Sequence, residues 1–106
     1  MIREPGKANI LLVEDEENLH DALKLNLELE GYEITSAYDG NEALKAVKDE
    51  YFDLIIMDVM LPQMDGVSVT ETIRIQNNEV PILILSAKNS SADRVLGLKK
   101  AQMIIW

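Results

Sequence analysis

An apolar run that ends on one aspartate places the strongest constraint on the fold of this chain. Residues 54–57 are apolar, Asp58 follows them, and Pro62 breaks the pattern four residues later. A continuous apolar run between turn residues is typical of a strand buried on both faces. In open α/β sheets, ligands bind at the carboxyl ends of the strands. Asp58 is therefore a candidate functional residue, although an aspartate that only caps the next loop would give the same local pattern.

Two other predicted strands also end on polar side chains. Residues 8–13 run directly into three consecutive acids, residues 14–16. Residues 80–85 are largely apolar and are followed by Ser86. Acids also complement the dipole at a helix N-terminus, so helix capping is an alternative explanation for the acidic run.

Helical and extended patterns alternate along the chain. Four helices are predicted: one at Glu17–Glu30, a second after the turn Asp39-Gly40-Asn41, a third from Asp65-Gly66 to about Gln76, and a fourth that begins at Ser90 or Ser91. Two further strands are predicted, at Tyr32–Tyr38 and, as a short strand, in Ala101–Trp106. This alternation predicts an α/β fold with a parallel sheet and right-handed crossovers. The strand ends that carry Glu14, Asp15, Asp58 and Ser86 should then converge. His20, the only histidine, is expected at an exposed helix position.

Length and composition narrow the possible classes of protein. The 106 residues predict one domain, 1–106, with an N-terminal tail at 1–7 and an atypical C-terminal tail at 101–106. The net charge of −9 argues against direct nucleic-acid binding. No apolar stretch is long enough for a membrane helix, and there is no cysteine. A cytoplasmic location is expected.

The converging acids suggest metal and phosphoryl chemistry. Several carboxylates in one cleft cannot all stay ionised at low cost without a cation. Oxygen ligands without cysteine favour a hard ion such as Mg²⁺. An aspartate beside that ion can attack phosphorus and form an aspartyl-phosphate, while a serine hydroxyl hydrogen-bonds a phosphoryl oxygen.

Four segments together resemble the receiver domain of two-component response regulators (CheY-like). They are the acidic motif Val13-Glu14-Asp15-Glu16, the phosphoacceptor motif Met57–Pro62, the switch motif Ile84–Lys88, and Asp93–Leu98, which is similar to the OmpR-like, winged-helix-bearing branch. The resemblance covers about residues 8–100. It implies a flavodoxin-like sheet with strand order 2-1-3-4-5, which is the known order for CheY-like proteins.

The resemblance also assigns roles to individual residues. It implies Asp58 as phosphoacceptor, Asp15 as a direct Mg²⁺ ligand, Glu14 as a ligand through water, Met60 as a ligand through its backbone carbonyl, Ser86 as the phosphoryl hydrogen bond and switch, and Lys88 as a tuning residue, an exposed loop lysine being the alternative. The implied partners are a sensor histidine kinase and a C-terminal DNA-binding output domain that is absent from this chain.

The sequence departs from the family pattern after Lys100. The usual Lys-Pro motif and the fifth helix are missing, so a truncated or altered fifth strand is expected. Slow phosphorylation is predicted because the lysine contact to the phosphoryl group is absent. Apolar side chains in residues 10–13 and 82–85 should be partly uncovered, which predicts a homodimer or a larger assembly.

Three functions fit this sequence. The first is a phospho-accepting receiver whose only catalysis is phosphotransfer to its own Asp58 and autodephosphorylation. The second is a truncated or degenerate receiver that acts as a binding or dimerisation module without chemistry. The third, a phosphatase or mutase, is disfavoured because such enzymes usually need a second aspartate two residues after the first, where this chain has Met60.

Overall fold

A five-stranded sheet in the order β2-β1-β3-β4-β5 forms the centre of the molecule. The structure is a computed structural model that describes residues 7–86 and 102–105. In these residues the elements are β1 (Asn9–Val13), α1 (Glu17–Leu29), β2 (Glu33–Ala37), α2 (Gly40–Asp49), β3 (Leu54–Asp58), α3 (Gly66–Ile75), β4 (Ile82–Ser86) and β5 (Gln102–Ile105). The predicted α/β class and strand order are confirmed. The predicted fourth helix lies outside the described residues.

Four of the strands are parallel and the fifth is not. β1 pairs with β2 and β3, and β3 pairs with β4, all in parallel register. β5 pairs with β4 in the antiparallel direction, with Gln102 opposite Ser86 and Ile105 opposite Leu83. The chain therefore re-enters the sheet at the edge from which β4 leaves it. The fifth strand is therefore altered in its direction: it runs antiparallel to β4, whereas the sequence predicted a parallel sheet.

Helices cover both faces of the sheet. On one face, α2 and α3 pack on a core that includes Leu11, Ile55 and Ile84. On the other face, Leu23 and Leu27 of α1 pack against a smaller cluster of side chains from β1 and β3. In the described part of the chain no helix is both long and apolar enough to cross a membrane.

The expectation of uncovered strand residues is wrong for β1. All five residues of β1 are buried, and Ile82 and Ile84 of β4 are also fully buried. Only Leu83 and Leu85 of the expected set are half-buried. The difference arises because α1 covers Ile10 and Leu12 on one face of β1, and the larger core covers Leu11 and Val13 on the other. The half-buried residues of the expected set are confined to β4.

Acidic residues begin each of the three helices. Glu16 caps α1 by accepting hydrogen bonds from the N–H groups of Asn18 and Leu19. Asp39 caps α2, as its position before Gly40 predicts, and Asp65 caps α3 through the N–H of Ser68. A carboxylate at this position satisfies N–H groups that have no partner within the helix. Each of these three helices follows a loop that leaves the carboxyl end of a strand.

Candidate functional site

Asp58 lies at the carboxyl end of the central strand β3. Its backbone pairs with Leu85 of β4, and the following residue, Val59, donates its N–H to the Leu85 carbonyl oxygen at 3.1 Å. The residue is only 7 % exposed, so its carboxyl group lies largely out of bulk water. Parallel neighbours on both sides of β3 bring their own carboxyl ends to the same edge.

Three carboxyl groups meet at this edge. Glu14 and Asp15 follow β1 directly, and one oxygen from each of Glu14, Asp15 and Asp58 lies within 4.8 Å of the others. Glu14 and Asp58 are buried, whereas Asp15 is exposed. The convergence that the strand ends predicted is present for these three residues.

The residues of the acidic run 14–16 have different roles: one caps a helix and another belongs to the carboxyl cluster. Glu16 caps α1, as the helix-capping alternative requires. Glu14 is 3 % exposed and accepts a hydrogen bond from the N–H of Glu16 at 2.8 Å, so its side chain folds inward to the cluster. Capping therefore explains Glu16 but does not explain the burial of Glu14.

The electrostatics of Glu14 reflect this crowding. Burial, the charge of Asp58, and hydrogen bonding with Asp58 and Asp15 raise the pKa of Glu14 from 4.5 to about 8, against the opposing effect of the Glu16 N–H. Burial disfavours the charged form of a carboxyl group, and a neighbouring negative charge disfavours it further. Without a cation, the cluster thus tends to hold a proton on Glu14 at neutral pH.

The loop after β3 folds back against Asp58. The N–H of Met60 donates to Asp58 Oδ1 at 3.1 Å, which places the Met60 backbone beside the carboxyl group. Gln63 has a positive φ of 68°, and the N–H of Met64 donates to the Pro62 carbonyl oxygen at 2.7 Å. This three-residue turn is tight and returns the chain to the start of α3.

Gly66 makes that return possible. Its N–H donates to the Val59 carbonyl oxygen at 2.9 Å, and a Cβ atom at this position would stand 2.6 Å from the Asp58 carbonyl oxygen. Only glycine permits such a close approach of α3 to the end of β3 without a shift of the backbone. The carbonyl oxygen of Gly66 also accepts a hydrogen bond from Thr70 Oγ1 at 2.8 Å.

The donor set suits a small hard cation. All three side chains present oxygen atoms, two of them are buried, and the raised pKa of Glu14 arises from burial and negative charge that a cation would offset. Mg²⁺ is typically bound by one or two carboxylates together with water and phosphate oxygens. Glu14, Asp15 and Asp58 together fit such a site.

The remaining predicted site residues differ in what the structure describes. Ser86 is the last residue of β4 and follows the residue that pairs with Asp58, so its backbone lies at the site edge. Lys88 lies outside the described residues. The N–H of Met60 donates to Asp58, and the Met60 side chain is 56 % exposed. The role of the Met60 carbonyl stays a prediction.

The prediction for His20 is wrong. The side chain is fully buried, and its Nδ1 lies 2.8 Å from the Glu14 carbonyl oxygen. Its Nε2 lies 2.8 Å from Ser36 Oγ, and its ring stacks on Tyr38. The spacing of His20, Leu23 and Leu27, three and then four residues apart, would have indicated the inward face of α1.

The geometry agrees with what comparison with known proteins finds. A model of the response regulator receiver domain family matches residues 10–104. The chain belongs to this family. The resemblance seen in the sequence motifs is thereby confirmed.

A relative of known role is similar to most of this chain. The alkaline phosphatase synthesis transcriptional regulatory protein PhoP of Bacillus subtilis is 49 % identical over 90 residues, which are 85 % of this chain and 38 % of that protein. This receiver thus spans about two fifths of the length of that relative.

Solved structures give the same result. The receiver domain of the Francisella response regulator 1452 matches with a TM-score of 0.74 and 34 % identity, over 90 % of this chain and 78 % of that one. The response regulator TrrA of Thermotoga maritima, in complex with Mg²⁺-BeF, matches with a TM-score of 0.72 and 32 % identity, over 88 % and 96 %.

Proposed function

We propose that this receiver accepts a phosphoryl group on Asp58 from a sensor histidine kinase, with Mg²⁺ at Glu14, Asp15 and Asp58. The observation that carries the proposal is the meeting of three carboxyl groups, within 4.8 Å, at the carboxyl end of the central strand. Membership of the receiver family supports it independently. The proposal treats residues 1–106 as one domain and includes a cytoplasmic location.

The chemistry requires one nucleophile. A carboxylate oxygen of Asp58 attacks phosphorus, a P–O bond forms, and the P–N bond to the donor imidazole breaks with its electron pair on the leaving nitrogen. A bound Mg²⁺ would offset negative charge on the phosphoryl oxygens. The Met60 N–H, 3.1 Å from Asp58 Oδ1, orients the carboxyl group, and the hydroxyl of Ser86 is proposed to bond a phosphoryl oxygen. Met60 would add its carbonyl to the ion, and Lys88 would tune dephosphorylation.

The partners form part of the same proposal. The relative in Bacillus subtilis is a transcriptional regulatory protein, and this chain spans only 38 % of it. A DNA-binding output domain is therefore the proposed recipient of the signal. A homodimer or larger assembly is also proposed, and the half-buried Leu83 and Leu85 on the β4 side of the sheet support it.

A small phosphodonor such as acetyl phosphate tests the acceptor. Incubation with Mg²⁺ should add one phosphoryl group to the intact chain, and chelation of the metal should prevent the addition. Asp58→Asn should abolish labelling because an amide oxygen is not a competent nucleophile. Asp21→Asn is the matched control, since Asp21 is exposed on α1. Intact-mass measurement reads all three proteins.

The outcomes separate the two remaining functions. Labelling of the Asp58→Asn protein at the wild-type rate would show that another residue is the acceptor. A wild-type protein that binds Mg²⁺ but never acquires the group would favour the alternative, a receiver that acts as a binding module without chemistry.

A further inference from the structure

We infer that His20 is a positioning residue for the acidic site, which it serves by holding the backbone carbonyl of Glu14. The inference rests on the proposed function, because it concerns the affinity of the same site for Mg²⁺. Its basis is one hydrogen bond, from Nδ1 of His20 to the Glu14 carbonyl oxygen at 2.8 Å.

The direction of this bond follows from its acceptor. A carbonyl oxygen cannot donate, so Nδ1 must carry the hydrogen in either charge state of the ring. The Glu14 carbonyl and the Asp15 N–H belong to the same planar peptide unit. A fixed carbonyl therefore fixes the plane from which Asp15 leaves, and Asp15 is the exposed member of the cluster.

The other contacts of His20 hold its ring in place. Nε2 lies 2.8 Å from Ser36 Oγ on β2, and the ring stacks on Tyr38 with centroids 4.2 Å apart and planes inclined by 22°. The ring is fully buried. It thus connects α1 with the end of β1 and the end of β2.

In the described part of the chain, the Nδ1 bond is the one that a side chain makes to the Glu14 backbone. The Glu14 N–H donates to the Ala37 carbonyl oxygen at 3.1 Å, and the Glu14 carboxyl accepts from the Glu16 N–H at 2.8 Å. The partners of Glu14 in these two bonds, the Ala37 carbonyl and the Glu16 N–H, are backbone groups that do not depend on the identity of a side chain. The Nδ1 bond depends on the identity of residue 20, so substitution can remove it selectively.

Two amide substitutions separate the roles of the two ring nitrogens of His20. In His20→Asn the amide nitrogen can take the place of Nδ1, and in His20→Gln it can take the place of Nε2. His20→Gln should therefore weaken Mg²⁺ binding about tenfold, the lower end of the effect of removing an outer hydrogen-bond partner of a metal ligand. His20→Asn should bind within about twofold of the wild type. Ser36→Ala, which removes only the Nε2 contact, should also stay within about twofold.

Titration of backbone amide signals with Mg²⁺ alone measures these affinities, and thermal unfolding in the absence of the ion monitors the fold. If the wild-type protein shows no saturable shifts, the proposed function fails and not merely this inference. If the wild type binds and His20→Gln binds equally well, the inference is overturned. Equal weakening in His20→Asn and His20→Gln would also overturn it, because loss of packing alone would then explain both.

A measurement on the wild-type protein covers the case in which a variant does not fold. The Nδ1 resonance of His20 should shift during the Mg²⁺ titration with the same midpoint as the amide of Asp15. An Nδ1 resonance that stays unchanged at saturation would show that the bond does not respond to the ion, and the inference would be withdrawn.

Discussion

Glu14 is 3 % exposed, and its carboxyl group lies beside those of Asp15 and Asp58. Burial, together with these neighbours, raises the pKa of Glu14 from 4.5 to about 8. Between these two values the folded chain binds a proton that the unfolded chain has lost. Stability then falls as pH rises, because the free energy of unfolding follows the difference in bound protons between the two states. The contribution of Glu14 is complete below about pH 4.5 and is lost by about pH 8.

Glu14→Gln tests this dependence at the scale of one residue. The amide keeps an oxygen that can accept the Glu16 N–H, but it does not ionise. We expect the variant without Mg²⁺ to be more stable than the wild type at pH 8, by on the order of a few kcal/mol, and the difference to shrink toward pH 5. Urea unfolding at several pH values measures it. Glu71→Gln, at an exposed position of α3, should leave the slope unchanged. A wild-type slope that persists in Glu14→Gln would refute the assignment.

At the scale of elements, the position of the start of α3 requires a residue without a Cβ atom. The N-terminal residue of that helix, Gly66, approaches the Asp58 carbonyl oxygen so closely that a Cβ atom would lie 2.6 Å away. Gly66→Ala should destabilise the domain by about 1–3 kcal/mol, the typical cost of overpacking. It should also weaken Mg²⁺ binding, since β3 must shift at its functional end.

A second glycine provides the matched control. Gly31 ends α1 with a φ of 96°, and a Cβ atom there would meet nothing within 4 Å. Gly31→Ala should also destabilise the domain, through backbone strain, but should leave Mg²⁺ affinity unchanged. Chemical unfolding and Mg²⁺ titration of both variants make the comparison. Equal affinities in Gly66→Ala and Gly31→Ala would mean that the packing of α3 does not influence the site.

Local patterns predicted some parts of the site and not others. Apolar runs that end on acids predicted where Glu14 and Asp58 lie, because parallel strands bring like ends together. The burial of His20 was missed because its partners, Ser36 and the Glu14 carbonyl, come from other elements. The antiparallel direction of β5 was also missed, since a four-residue segment carries no pattern that distinguishes the two directions. Such features depend on contacts between elements that no local pattern contains.

At the scale of the whole molecule, self-association depends on the apolar area that the sheet leaves exposed. The structure shields β1 completely and leaves Leu83 and Leu85 half-buried, so the area available for pairing is smaller than the sequence suggests. The proposed homodimer should therefore be weak and should dissociate on dilution. Sedimentation equilibrium across a concentration series should give a mass that rises from 11.9 kDa toward twice that value. A constant monomer mass at all concentrations, with cooperative unfolding, would exclude association.

The buried carboxyl group of Glu14 has a further consequence for how the site exchanges ions with its surroundings. With a pKa of about 8, this group carries a proton at neutral pH when no metal is bound. An arriving cation favours the ionised form, so each ion that enters must release up to one hydrogen ion to solvent. Binding of the cation would then be an exchange in which the metal ion enters the site and a proton leaves it. A fall in ambient pH opposes that exchange by mass action.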